Sequence, residues 1–127
     1  MQSRIQYGMV GGGEGAFIGE IHWMAARLDN HYELVAGAFS SEAERSRRSA
    51  KTLGISADRS YADFQQMAEK EQARKDGIEA VVIVTPNHLH LRIAEIFLKA
   101  GIHVICDKPL SATLEEGQAF AEFARKS

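Results

Sequence analysis

The chain has 127 residues, 45% of them hydrophobic and 25% charged, with 15 Lys and Arg against 17 Asp and Glu for a net charge of -2. That is enough for one domain over 1–127, and the near balance of charge excludes the dense basic surface that draws nucleic acid or anionic lipid. A single cysteine, Cys106, excludes an internal disulfide framework, and no apolar run is long enough for a membrane span, so a cytoplasmic setting with no membrane partner is expected.

Taken in order, residues 5–10 read as a first strand that runs into Gly11, Gly12, Gly13, Gly15 and Gly19. A helix over residues 20–28 follows, carrying Ile21, Met24, Ala25 and Leu28 at helical spacing. Residues 32–39 form a second strand of buried type, after which Ser40 and Ser41 are placed to cap a helix over 42–53 stopped by Gly54. A short edge strand is expected around residues 59–61, then a polar helix over 63–75 anchored by Phe64 and Met67 and ended by Gly77. The β-branched run at 79–85 suits the middle of a parallel sheet, and Pro86 stops it. A helix over 89–100, closed by Gly101, precedes a strand over 103–106 and a last helix over 114–126 that carries Phe120 and Phe123.

Strands alternating with helices at crossover length require parallel pairing with right-handed connections. The expected fold is α/β, a doubly wound parallel sheet of Rossmann type in three αβα layers with strand order 3-2-1-4-5. Ligands then lie at the carboxyl ends of the strands, where the order reverses.

The glycine-rich loop is the first stretch with chemistry. A turn of this kind takes positive φ and lets a diphosphate approach bare amides, and the following helix adds unpaired N–H groups and the positive end of its dipole. Gly11, Gly13, Glu14, Gly15, Ala16, Phe17 and Ile18 are the candidate residues along it, and the plainer alternative is a flexible loop. After the second strand a site for unphosphorylated NAD normally presents a carboxylate to the ribose hydroxyls, whereas this chain presents Ser40, Ser41 and Arg45, with Arg47 and Arg48 near. Hydroxyls and a guanidinium suit a 2′-phosphate, which points to NADP(H), with NAD possible; the plainer alternative is a solvated helix face paired with Glu42 and Glu44.

Thr85, Pro86 and Asn87 follow the central strand and offer a fixed turn with donors and acceptors for a ribose or nicotinamide, although Asn87 serves equally as a helix cap. His88 and His90 stand two apart and diverge on a helix, so no metal site is expected. Asp107, Lys108 and Pro109 come where the last strand leaves the sheet, at the mouth of the cleft. Lys108 there can bond a nicotinamide ribose and orient a substrate hydroxyl during hydride transfer, while Cys106 reads as core.

In these motifs the sequence resembles the Gfo/Idh/MocA family of glucose–fructose oxidoreductase, inositol dehydrogenase and rhizopine catabolism proteins. The glycine loop, Thr85-Pro86-Asn87 with His90 behind it, and Asp107-Lys108-Pro109 are similar to that family's loop, Thr-Pro-x-x-x-His stretch and Glu-Lys-Pro motif, in the same order. The resemblance implies that the loop glycines hold the pyrophosphate, that Asn87 lines the cofactor pocket with Thr85, Pro86, His90 and Asp107 as further cofactor-binding candidates, and that Lys108 contacts nicotinamide ribose and substrate as the catalytic lysine. It also implies a sugar, inositol or related polyol as substrate. Gly11 and Gly13 fit the start of the family's G-x-G-x-x-G-x-x-His loop and Gly19 with His22 its end, with about three extra residues between; Asp107 replaces the usual Glu.

The family's substrate pocket and catalytic histidine lie in a second α/β domain absent from 1–127, so dinucleotide binding with little or no turnover is expected of this chain. Apolar surface around Phe120 and Phe123 is then expected to be bare and to favour a homo-oligomer. The alternatives are a non-catalytic dinucleotide sensor and, more remotely, an S-adenosylmethionine binder, against which the serines, Arg45 and the proline motifs count.

Overall fold

The structure is a computed structural model and describes residues 4–13, 17–108, 111 and 113–127, with the side chains of residues 17–19 and 87 outside that description. Four strands, β1 (Ile5–Gly11), β2 (Tyr32–Ala38), β3 (Ala80–Val84) and β4 (His103–Cys106), form one parallel sheet in the order β2-β1-β3-β4. They alternate with α1 (Phe17–Leu28), α2 (Ala43–Thr52), α3 (Phe64–Ala73), α4 (His90–Lys99) and α5 (Leu114–Arg125). The expected third strand shrinks to one parallel bridge between Ser60 and Gly37, flanked by a 3-10 turn at Ala57–Arg59. With that bridge counted, the order is the one expected; the chain here is too short and polar to hold a ladder, because Arg59 turns inward to an acidic partner.

Alternation along each strand divides the core. Val10, Val81 and Ile83 face a cluster made with Met67 of α3, Ile93, Ala94 and Phe97 of α4, and partly buried Phe120 of α5. Tyr7, Met9 and Val82 face the opposite cluster, made with Trp23 and Ala26 of α1 and Ala50 of α2. The result is the αβα layering expected, with both sheet faces covered by helices.

Helix α1 differs from its periodicity. Trp23 and Ala26 meet the sheet, whereas Ile21, Met24 and Leu28 are 44%, 57% and 84% exposed and Ala25 is exposed too. The helix is apolar on two sides, so spacing alone selects the wrong stripe. The apolar surface expected around Phe120 and Phe123 is correspondingly modest: both rings are half-buried and pack on each other at 6.1 Å.

Local signals decide several ends. Ser41 does not cap α2; Glu42 occupies the cap position, and the Ser40 hydroxyl instead accepts from the Glu42 N–H at 3.1 Å. Asp63 caps α3 by accepting from the Gln66 N–H at 2.8 Å, and Thr113 caps α5 in the same way. Helix α3 ends at Ala73, before Gly77, because the following residues bend back toward Glu71. Among the described residues no helix is long and apolar enough to cross a membrane.

Candidate functional site

The site forms where β1 leaves the sheet between the carboxyl ends of its two neighbours, since crossovers run to opposite sides of β1 and leave a crevice there. Gly11 takes φ +84°, and a Cβ on it would meet the Val84 carbonyl carbon at 3.0 Å and the Thr85 nitrogen at 3.1 Å. At Gly13 a Cβ would stand 2.7 Å from the Phe39 carbonyl oxygen. Gly11 and Gly13 therefore pack closely against the ends of β3 and β2, and Gly11, Gly12 and Gly13 line the crevice without side chains. Glu14, Gly15 and Ala16 lie outside the described residues, as do the side chains of Phe17, Ile18 and Asn87.

A cavity of about 460 Å³ opens at this point. Gly11, Gly13, Ser40, Ser41, Arg45, Thr85 and Pro86 all line it, so seven of the expected positions converge from β1, β2, α2 and β3. One wall was not foreseen. It is built by Ala62, Asp63 and Phe64, which follow the bridging residue Ser60 and so stand at the carboxyl end of the vestigial third strand.

Buried Ser46 holds that wall to the end of β2. Its hydroxyl accepts from the Phe39 N–H at 3.0 Å and donates to the Tyr61 carbonyl at 3.2 Å. Behind the wall, buried Glu71 accepts from Tyr61 Oη at 2.6 Å, from Arg59, and from the Ile78 N–H. Burial, followed by the bond to Glu71 and its charge, pushes the Tyr61 phenol well above its usual range. The phenol is thus a fixed donor at any ordinary pH.

After β2 the arginines divide. Arg47 and Arg48 pair with Glu44 along the surface of α2 at 3.7 and 3.9 Å, as the solvated-face reading has it. Arg45 lines the cavity, and among the described residues no carboxylate pairs with it. Asp63 lies in the same cavity, with one carboxylate oxygen committed to capping α3.

Three expected residues stand apart from the lining. His90 is buried, and its Nε2 lies 2.8 Å from the Thr85 carbonyl, to which it donates, so it secures the turn rather than facing the cavity. Lys108 is exposed just past β4, and Asp107 shares its carboxylate with His22 Nε2 at 3.3 Å. Burial and the neighbouring Asp107 charge raise the Cys106 thiol, which keeps it protonated and agrees with its reading as core. No cluster of metal-ligating side chains occurs among the described residues.

A parallel sheet with this crossover, a bare glycine loop and a cavity at the reversal point defines a dinucleotide-binding Rossmann domain. Residues 5–127 match the oxidoreductase family with an NAD-binding Rossmann fold, GFO_IDH_MocA, and the chain belongs to that family. It is 44% identical over 123 residues to the uncharacterized oxidoreductase YfiI of Bacillus subtilis, a match covering 96% of this chain and 31% of that protein. Among solved structures, an oxidoreductase from Sinorhizobium meliloti is similar at 56% identity and a TM-score of 0.93, over 99% of this chain and 35% of the other. An inositol dehydrogenase homolog from Azotobacter vinelandii, complexed with NADH and myo-inositol, is similar at 43% identity and a TM-score of 0.94, over 99% of this chain and 33% of the other. The chain spans about a third of the length of these relatives.

Proposed function

We propose that this chain is the cofactor-holding part of an oxidoreductase that uses NADP(H) and acts on a sugar, inositol or related polyol. The observation that carries the cofactor choice is the ribose end of the cavity, where Ser40, Ser41 and Arg45 stand and β2 ends without a carboxylate, while Asp63 in the same cavity has one oxygen committed to the cap of α3. A carboxylate there would bond ribose hydroxyls and repel a 2′-phosphate; two hydroxyls and a guanidinium do the reverse. The bare amides around Gly11 and Gly13 hold the pyrophosphate, with α1 adding its N-terminal dipole. Thr85, Pro86 and Asn87 receive the nicotinamide half, and Glu14, Gly15, Ala16, Phe17 and Ile18 complete the loop.

The bound dinucleotide supplies the hydride acceptor or donor. Within this chain Lys108 bonds the nicotinamide ribose and orients the substrate hydroxyl, and its charge favours the oxygen that gains negative character as the carbinol proton leaves. Dinucleotide binding is the property to measure here, in a cytoplasmic protein that self-associates.

Calorimetric titration with NADPH and NADH tests the reading, and tighter binding of NADPH is the expected result. A second reading, preference for NAD(H), is favoured by the similar protein complexed with NADH; tighter binding of NADH would establish it and remove the 2′-phosphate assignment. Failure to bind either cofactor would remove both.

A further inference from the structure

The contact between His22 and Asp107 has no part in the reading above. His22 lies in the second turn of α1, the helix that follows the glycine loop, and Asp107 follows the last residue of β4, 85 positions later. Their side chains are each about a quarter exposed, at 26% and 25%, and neither lines the cavity. A carboxylate only accepts, so His22 Nε2 carries the hydrogen and donates to Asp107 Oδ1 across 3.3 Å.

The backbone of Asp107 is fixed as well. Its N–H donates to the Ile83 carbonyl at 3.1 Å and continues the β3–β4 ladder by one residue beyond Cys106. Asp107 is therefore held by the sheet at its amide and by α1 at its carboxylate. Lys108 is the next residue, with an exposed side chain. The two parts of the molecule meant to meet opposite halves of a dinucleotide, the loop helix and the strand end bearing Lys108, are thus joined directly by one polar contact.

We propose that His22 and Asp107 are positioning residues: their contact sets the separation of the glycine-loop helix from Lys108 and so tunes how the cofactor is held. The proposal rests on the dinucleotide reading. Neither residue needs to touch the cofactor for this. Without the contact, α1 can shift on its Trp23 and Ala26 packing, and Lys108 hangs from the sheet ladder alone.

A double-mutant cycle on the 127-residue chain tests it, with NADPH and NADH dissociation constants from calorimetry. His22→Ala and Asp107→Ala are each expected to weaken binding about tenfold, and the double substitution no further, since the second removes a contact already lost. His22→Gln, whose amide nitrogen can stand where Nε2 stood, is expected to restore binding to within about threefold of the parent. A residue that matters only for folding would not show this rescue. Nitrogen-15 spectra of His22 supply an independent signature: one ring tautomer, protonated at Nε2, in the parent and a mixture in Asp107→Ala.

Additive losses, or a His22→Gln variant as weak as His22→Ala, overturn the clasp while leaving the dinucleotide reading intact. So does a parent spectrum that already shows mixed tautomers. If the parent binds neither NADPH nor NADH, the dinucleotide reading falls and the clasp with it.

Discussion

His90 Nε2 donates to the Thr85 carbonyl at 2.8 Å from a position with almost no solvent exposure, 1%. The bond ties the first turn of α4 to the end of β3, where the chain must turn at Pro86 to form the floor of the cavity. Removing the ring leaves a void and a carbonyl without this donor. His90→Ala is expected to cost about 2–4 kcal/mol in urea unfolding. It should also weaken dinucleotide binding under conditions in which its circular dichroism matches the parent's. Unchanged affinity in a destabilised variant would confine His90 to stability.

Arg45 offers a sharper test because its two sides are so different. Its neighbours Arg47 and Arg48 are spent on Glu44, whereas Arg45 lines the cavity beside Ser40 and Ser41. A charge-assisted bond to a phosphate contributes about 1.5–3 kcal/mol, so Arg45→Ala should weaken NADPH at least about tenfold and leave NADH within about twofold. Arg45→Lys should recover part of the loss, as a point charge without the planar fork. Equal loss for both cofactors would return Arg45 to the solvated helix face.

Glu71 is the keystone of the wall opposite. It is 1% exposed and joins Arg59, Tyr61 and the Ile78 amide, and Arg59 also donates to the Asp76 carbonyl. Neutralising it leaves the buried Arg59 guanidinium with Asp76 alone to offset its charge, at the longer distance of 3.8 Å. Glu71→Gln is expected to cost about 3–5 kcal/mol in chemical unfolding, whereas Glu69→Gln on the exposed side of α3 should be close to neutral. Because Tyr61 leads directly into Ala62, Asp63 and Phe64, the variant should also bind dinucleotide more weakly than its stability alone explains.

The sheet, the glycine loop and seven cavity residues were legible because each rests on a local rule: an apolar run for a parallel strand, glycine at positive φ, a turn after a strand end. What escaped depends on contacts distant in sequence. Arg59, read as part of an edge strand, is buried by Glu71, and that pairing replaces a ladder with a single bridge at Ser60. The wall at Asp63 and Phe64 was hidden for the same reason, since its strand is hardly a strand. His22 was visible as the end of the loop motif, but nothing local to it announces Asp107. On α1 two apolar faces compete, and it is the one bearing Trp23 and Ala26 that meets the sheet.

That packing leaves Ile21, Met24 and Leu28 as an exposed ridge on α1. Contiguous apolar surface of this kind favours association, and a second copy of the chain is the available partner in pure solution. Sedimentation equilibrium is expected to give a mass above the 14.0 kDa of one chain, and the pair Met24→Lys and Leu28→Lys to lower it to one chain. A single-chain mass for the parent at high concentration would exclude self-association through this ridge.

Tyr7 supplies a stability test with a worked pH dependence. Its hydroxyl is buried beneath α1, and among the described residues it lacks a hydrogen-bond partner, while its ring meets Tyr32 edge-on at 6.1 Å. Burial, only partly offset by the Arg27 charge, pushes the phenol up to about 12 from an ordinary value near 10. The folded chain therefore holds this proton more tightly than the unfolded chain does. The associated stability is fully present below about pH 10 and is lost as pH rises toward 12. Tyr61, raised in the same direction, steepens the fall. Tyr7→Phe removes an unpartnered hydroxyl while keeping the ring, so it should raise stability at pH 7 by about 1 kcal/mol. It should also flatten the alkaline decline, leaving the part due to Tyr61. Thermal unfolding from pH 7 to 11 measures both effects, and a variant less stable than the parent at pH 7 would show that the hydroxyl has a partner, such as a buried water.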